Sequence, residues 1–155
     1  LGMGIESWRE EFYPETGEAS AKRGTLAAIE HGIRKWEGVR DENLKKHGLH
    51  RYRTGIFDED GREMMRLGWE ECGLCWIYQC EEGPKGKDLG CKGCPLVGVD
   101  ENGIDIVCGG EGHGYWLVSQ NRAGPEILIG ELKQAREEWV KKYGERVDEG
   151  NKYGG

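Results

Sequence analysis

Residues 72–108 read CGLCWIYQCEEGPKGKDLGCKGCPLVGVDENGIDIVC, and this stretch decides what kind of fold the chain can have. Within it, Gly83 to Cys94 offers only Leu89 and two cysteines as side chains worth burying. Apolar burial on that scale does not offset the conformational entropy lost on ordering the segment. A bound ion can. Cys72-Gly-Leu-Cys75 and Cys91-Lys-Gly-Cys94 are two C-x2-C pairs with residues 76–90 between them, the spacing of tetrahedral zinc sites. Two residues between thiolates let both sulfurs reach one ion while amides of the turn donate to them, and Gly93 suits such a turn. Metal binding contributes on the order of 10 kcal/mol of folding free energy in segments of this kind. The predicted ligand set is therefore Cys72, Cys75, Cys91 and Cys94 around one Zn2+.

Two further cysteines, Cys80 and Cys108, leave alternatives open. Val97 and Val99 face Ile104 and Ile106 across Asp100-Glu101-Asn102-Gly103, and Asn-Gly is a strong hairpin signal. A hairpin returns its ends to nearly the same place, so Cys108 would lie close to Cys94 and is the leading substitute ligand. Cys80 follows Trp76-Ile77-Tyr78 and reads as a small core residue. His113, in Gly109-Gly110-Glu111-Gly112-His113-Gly114, could be carried to the metal by its flexible glycines, whereas His47 and His50 flank a turn and read as solvated. Pro95 after Cys94 is a feature of bacterial ferredoxin runs, which keeps an iron–sulfur cluster as an alternative, although no compact run matches ferredoxin spacing.

Outward from this centre, the flanks read as helices. Leu26, Ile29, Ile33 and Trp36 share one helical face and predict a helix over about 25–37 that Gly38 ends. Leu128, Leu132, Ala135, Trp139 and Tyr143 predict a second over about 126–144, with Glu137 and Glu138 four residues ahead of Lys141 and Lys142. Asp41 is placed to cap a short helix carrying Leu44, with Gly48 just past its end. Arg51 to Phe57 alternates loosely and runs into the turn formers Asp58 to Gly61, followed by a helical or irregular stretch from Arg62 to Trp69. Residues 3–21 read as an arm that docks Trp8, Phe12 and Tyr13 onto the body without a sustained period. The polar, Gly-rich residues 148–155 read as a flexible tail. The fold class is thus α+β: one small domain over 3–147, with two amphipathic helices around a zinc-ordered loop and a β-hairpin over 72–108.

The totals bound the function. A chain of 155 residues holds one ordinary core, and a mean hydropathy of −0.76 makes that core lean, with six Trp and six Tyr supplying much of its area. Lys and Arg number 22 against 29 Asp and Glu, a net charge of −7 that opposes general binding to phosphate backbones. No run approaches a membrane span, and no basic-then-apolar leader opens the chain, so a cytoplasmic location is expected, with thiols kept reduced. Leu1 and Gly2 ahead of Met3 read as a remnant of a cleaved tag. The common P-loop, acyl-transfer and zinc-protease signatures are absent, and Asp58, Asp60 and Gly61 form only a fragment of a calcium loop. A four-thiolate site leaves no position for activated water, so the metal is read as structural.

With these motifs in view, the chain resembles a group of small, uncharacterised, cysteine-rich proteins of tailed bacteriophages and prophages. The residues that carry the likeness are Phe12-Tyr13-Pro14, His31, Lys35-Trp36, Gly38, Asn43-Leu44 and His47-Gly48. It continues through Cys72-x-Leu74-Cys75, Cys91-x-x-Cys94-Pro95 and Cys108, while Cys80 and the length of the insert before Cys108 depart from it. The resemblance implies a phage or host cytoplasm. Size, acidity and a rigid metal centre fit a non-catalytic module that binds a host or phage protein, such as an anti-defence inhibitor or host-takeover factor. The alternative is a zinc-dependent nucleic-acid-binding protein, which would have to gather basic residues such as Arg51 and Arg53, beside Tyr52 and near Lys45 and Lys46, on one face. A metal-dependent enzyme using Glu111 and His113 is a third reading, and the oligomeric state is not legible in the sequence.

Overall fold

The computed structural model describes residues 4–78, 94–96, 98–99, 105–106 and 112–145. Four helices come first: α1 (Ile5–Phe12), α2 (Gly17–Lys22), α3 (Thr25–Glu37) and α4 (Asp41–Lys46). An antiparallel meander follows, β1 (His50–Tyr52), β2 (Gly55–Phe57) and β3 (Glu63–Arg66), ordered β1-β2-β3 in the sheet. A 3-10 turn at Trp69–Glu71 leads into α5 (Gly73–Tyr78). Strands β4 (Gly98–Val99) and β5 (Asp105–Ile106) pair antiparallel, Gly98 opposite Ile106 and Val99 opposite Asp105, and α6 (Gly114–Ser119) and α7 (Glu126–Tyr143) close the fold. The architecture is mixed α+β. None of the described helices is long and apolar enough to cross a membrane.

Helix α3 is the hub, packed against α1, α2, α5 and α7. Its stripe of Leu26, Ile29 and Trp36 is buried as the spacing predicts, and Leu128, Ile129 and Leu132 of α7 join the same core. Ion pairs rim the α3–α7 interface, Arg136 with Glu30 at 2.7 Å and Lys133 with Glu37 at 3.2 Å.

The segment expected to be an aperiodic arm forms two short helices. Trp8, fully buried, donates from Nε1 to the Gly38 carbonyl at 2.8 Å, and Thr16 caps α2 by accepting from the Ala19 amide. Gly38 is the C-cap of α3, and it must be glycine because a Cβ there would lie 2.4 Å from Cγ of Phe12. Asp41 does not cap α4. Arg40 occupies the cap position, and Asp41 instead sits in the first turn, where a carboxylate favours the positive end of the peptide dipoles. Gly48 takes the left-handed conformation expected of it, at φ 73°.

Arg62 to Trp69, expected to be helical or irregular, holds strand β3 over half its length and is irregular or 3-10 elsewhere. Asp58 accepts from the amides of Asp60 and Arg62, both at 2.9 Å, and turns β2 back into β3. A register shift at Ile56/Phe57 spoils alternation across this hairpin, and Met64 and Met65, adjacent on β3, are both half-buried. That is why periodicity did not announce it.

Candidate metal centre

Cys72 and Cys75 sit where the 3-10 turn passes into α5. Two glycines bring this corner against the helices beneath it. A Cβ on Gly73 would lie 2.3 Å from Oγ of Ser20 and 2.8 Å from Cβ of Ala28, and one on Gly17 would lie 2.7 Å from the Glu71 carbonyl carbon. Any larger residue at either position would force α2 and α5 apart. Leu74 and Ile77 anchor α5 in the core, and the Trp76 amide closes its first turn on the Cys72 carbonyl at 3.2 Å.

Lys35 of α3, only 1% exposed, extends to this corner and donates from Nζ to the Glu71 carbonyl at 2.9 Å. The Cys72 thiol is held well above its ordinary pKa, first by the hydrogen bond it shares with the Cys75 side chain, then by burial and by the Cys75 charge. Lys35 and the Cys75 backbone amide, which faces the Cys72 sulfur, act in the opposite sense. The corner thus holds two adjoining sulfurs, a backbone amide directed at one of them and a buried cation. Adjoining thiols repel a second ionisation, and a divalent cation removes that penalty because it takes both as thiolates. The amide directed at Cys72 is the contact expected of a C-x2-C turn around an ion. On donor chemistry, the pair fits half of a zinc site.

The second half is less complete. Cys94 is buried in the main apolar core. Among the described residues, no three of His, Cys, Asp and Glu are gathered into a ligand set, so Cys94 is not brought together with Cys72 and Cys75. Cys91, Cys80 and Cys108 lie outside the described residues, as do Glu111 and the turn expected at Asp100 to Gly103.

The histidines are placed elsewhere. His113 stands at the start of α6 with Nδ1 3.7 Å from Glu131 Oε2, and its ring belongs to the α6–α7 corner. His47 is clamped by α1, with Nδ1 2.7 Å from Ser7 Oγ and Nε2 2.8 Å from Glu11 Oε1. Ser7 also donates to the Gly4 carbonyl at 3.0 Å, so this trio ties α1 to the end of α4. His50 is exposed and stacks on Phe57. Asp58 and Asp60 form a self-contained turn.

Sequence reading missed Lys35, His31 and Ser20 as buried polar groups of this region. His31 donates from Nε2 to the Glu15 carbonyl at 2.8 Å and meets the edge of Tyr13, its Nδ1 buried without a hydrogen-bond partner among the described residues. Tyr13 in turn accepts from the Gly17 amide at 3.3 Å. His31 and Lys35 fall one helical turn apart, away from the apolar stripe of α3, and by periodicity alone they belong to a solvent face. Only the cover supplied by neighbouring elements buries them. The chain matches no protein-family model, no curated protein and no solved structure.

Proposed function

We propose that this chain is a non-catalytic binding module whose middle segment is ordered by one zinc ion, with Cys72, Cys75, Cys91 and Cys94 as ligands. The observation that carries the reading is the Cys72–Cys75 corner, where adjoining sulfurs, an inward amide and the Lys35 ammonium converge. The ammonium would offset part of the negative charge that four thiolates concentrate on one ion. Such a site is closed, so its role is to shape the module and leave recognition to the surface. The resemblance to phage and prophage proteins points to a host or phage partner in a bacterial cytoplasm, with modulation of that partner's activity as the outcome.

A thermal melt in the presence of a strong chelator tests this reading. The folded chain is expected to lose a cooperative transition as metal is withdrawn, because residues 83–94 bring almost no apolar area of their own. An unchanged melt from protein shown to carry no metal would overturn it.

A further inference from the structure

The turn between β1 and β2 meets the loop between α6 and α7. Arg53 donates from its amide to Oδ1 of Asn121 at 3.3 Å, and the Arg51 guanidinium donates both to the Arg53 carbonyl at 2.9 Å and to the Ala123 carbonyl at 3.2 Å. Arg53 and Asn121 are the two non-glycine residues with positive φ among the described residues, at 55° and 57°, and they touch one another. L residues other than Asn rarely hold that conformation, so an arginine kept there presents its side chain at a backbone cost that glycine would avoid.

Each of the two turns carries an arginine over an aromatic ring. The Arg53 guanidinium lies 5.5 Å from the centroid of Tyr52, and that of Arg122 lies 5.4 Å from the centroid of Trp116. Tyr52 is 52% exposed, Arg53 and Arg122 are exposed, and Trp116 is half-buried. Among the described residues, neither Arg53 nor Arg122 forms an ion pair with a carboxylate, whereas Arg23, Arg40, Arg66 and Arg136 all do. Glu63, the carboxylate against Gly55 of the same hairpin, is held by Arg66 at 2.9 Å. Lys46, which the sequence grouped with this cluster, is drawn instead to Glu11.

We propose that this surface binds single-stranded nucleic acid, with Tyr52 and Trp116 stacking on bases and Arg53 and Arg122 neutralising phosphates. The inference goes beyond the binding-module reading, whose partner is a host or phage protein, and gives the module a second ligand class. Aromatic planes joined to guanidinium groups suit unpaired bases, which expose faces that a duplex conceals. Two such arginines on a chain of net charge −7 are too few for the dense phosphates of a duplex. An acidic peptide would meet the arginines and leave the rings without a match.

The test is fluorescence anisotropy of the full metal-loaded chain with labelled oligothymidylate and oligouridylate of about twelve nucleotides, a length within the site sizes of single-strand binders. Binding at low salt should weaken with a log–log slope of about −1.4 if Arg53 and Arg122 each meet phosphate at roughly 0.7. Arg53→Gly keeps the left-handed turn, and combined with Arg122→Gln it should lower affinity about tenfold or more and flatten the slope toward zero. Tyr52→Ala should cost about fivefold or more, whereas Lys141→Gln on α7 should change little. The inference is overturned if the natural chain does not bind at low salt, if the double variant binds as well as it does, or if oligoglutamate competes equally. Metal content read on the same samples separates the two claims: metal-loaded chain that ignores the oligonucleotide sinks this inference alone, and metal-free chain that binds it sinks the zinc reading alone.

Discussion

Helix α3 is packed on two sides by two different kinds of interface. Toward α7 the contact is apolar, with Leu128, Ile129 and Leu132 in the shared core and ion pairs of Glu30 and Glu37 at its rim. Toward α2 and α5 the helix presents Ala28, Thr25 and Lys35, which meet Gly73, the Tyr78 hydroxyl and the Glu71 carbonyl. The first interface is held by area removed from water, and the second by close backbone approach and by hydrogen bonds that leave polar groups satisfied. An interface of the first kind tolerates small repacking. One of the second kind fails when a single atom is added, and it is this second interface that carries the cysteine corner.

The comparison breaks most visibly by deletion on the α7 side. Leu132→Ala removes a buried side chain at the middle of the interface and should cost about 3 kcal/mol, read as a lower denaturant midpoint with an unchanged slope. On the other side, addition is the damaging change. Gly73→Ala places a methyl within 2.3 Å of Ser20 Oγ, and should cost about 2 kcal/mol while also weakening metal retention, because it displaces the corner that positions Cys72 and Cys75. The same substitution at Gly130, whose Cβ would meet nothing within 4 Å, should be neutral or stabilising on exposed α7.

These two interfaces also mark how far the sequence could be read. Helices α3 and α7 were each legible almost to the residue, because Leu26, Ile29, Trp36, Leu128 and Leu132 repeat at helical spacing, but their direct pairing was not, since both were expected to pack around the loop and hairpin. The pairing of β4 with β5 was legible from Asn102-Gly103 between β-branched residues. The α2–α5 contact was not, since small residues and glycine look the same in a loop as in a tight crossing. Lys35 and His31 gave no burial signal, and His47, expected to be solvated, is buried, for the same reason: burial by a neighbouring element leaves no periodic trace. Strand β3 was hidden by its register shift, and α6 by being only six residues long behind a Gly-rich run. Of the candidate site, the C-x2-C pairing at Cys72 and Cys75 was legible and its buried cation was not. The arginine and aromatic surface was half legible, as Arg51-Tyr52-Arg53, because Trp116 and Arg122 reach it from far along the chain.

A smaller effect sharpens the same contrast through pH. Burial pushes His31 below its ordinary pKa, so the folded chain binds this proton less readily than the unfolded chain does. The associated stability is fully present above the unfolded value of about 6.5 and is lost as pH falls below it. Midpoints measured from about pH 7.5 down to 5.5 should decline, and His31→Gln should flatten that decline whatever it does to the midpoint at neutral pH. The smallest effect belongs to the rim. Arg136→Ala removes a half-exposed ion pair with Glu30 and should change stability by about 0.5 kcal/mol or less, fading further in high salt.

Metal content by elemental analysis, taken on the purified chain and on single cysteine variants, tests the central claim most directly. About one zinc per folded chain is predicted, lost in Cys72→Ser, Cys75→Ser and Cys94→Ser, and kept in Cys80→Ser. Cys91→Ser should lose it as well, while Cys108→Ser should not. Zinc retained by Cys91→Ser but lost from Cys108→Ser would move the fourth ligand to the far end of the hairpin. A folded chain with no metal, or one carrying iron and sulfide, would contradict the account.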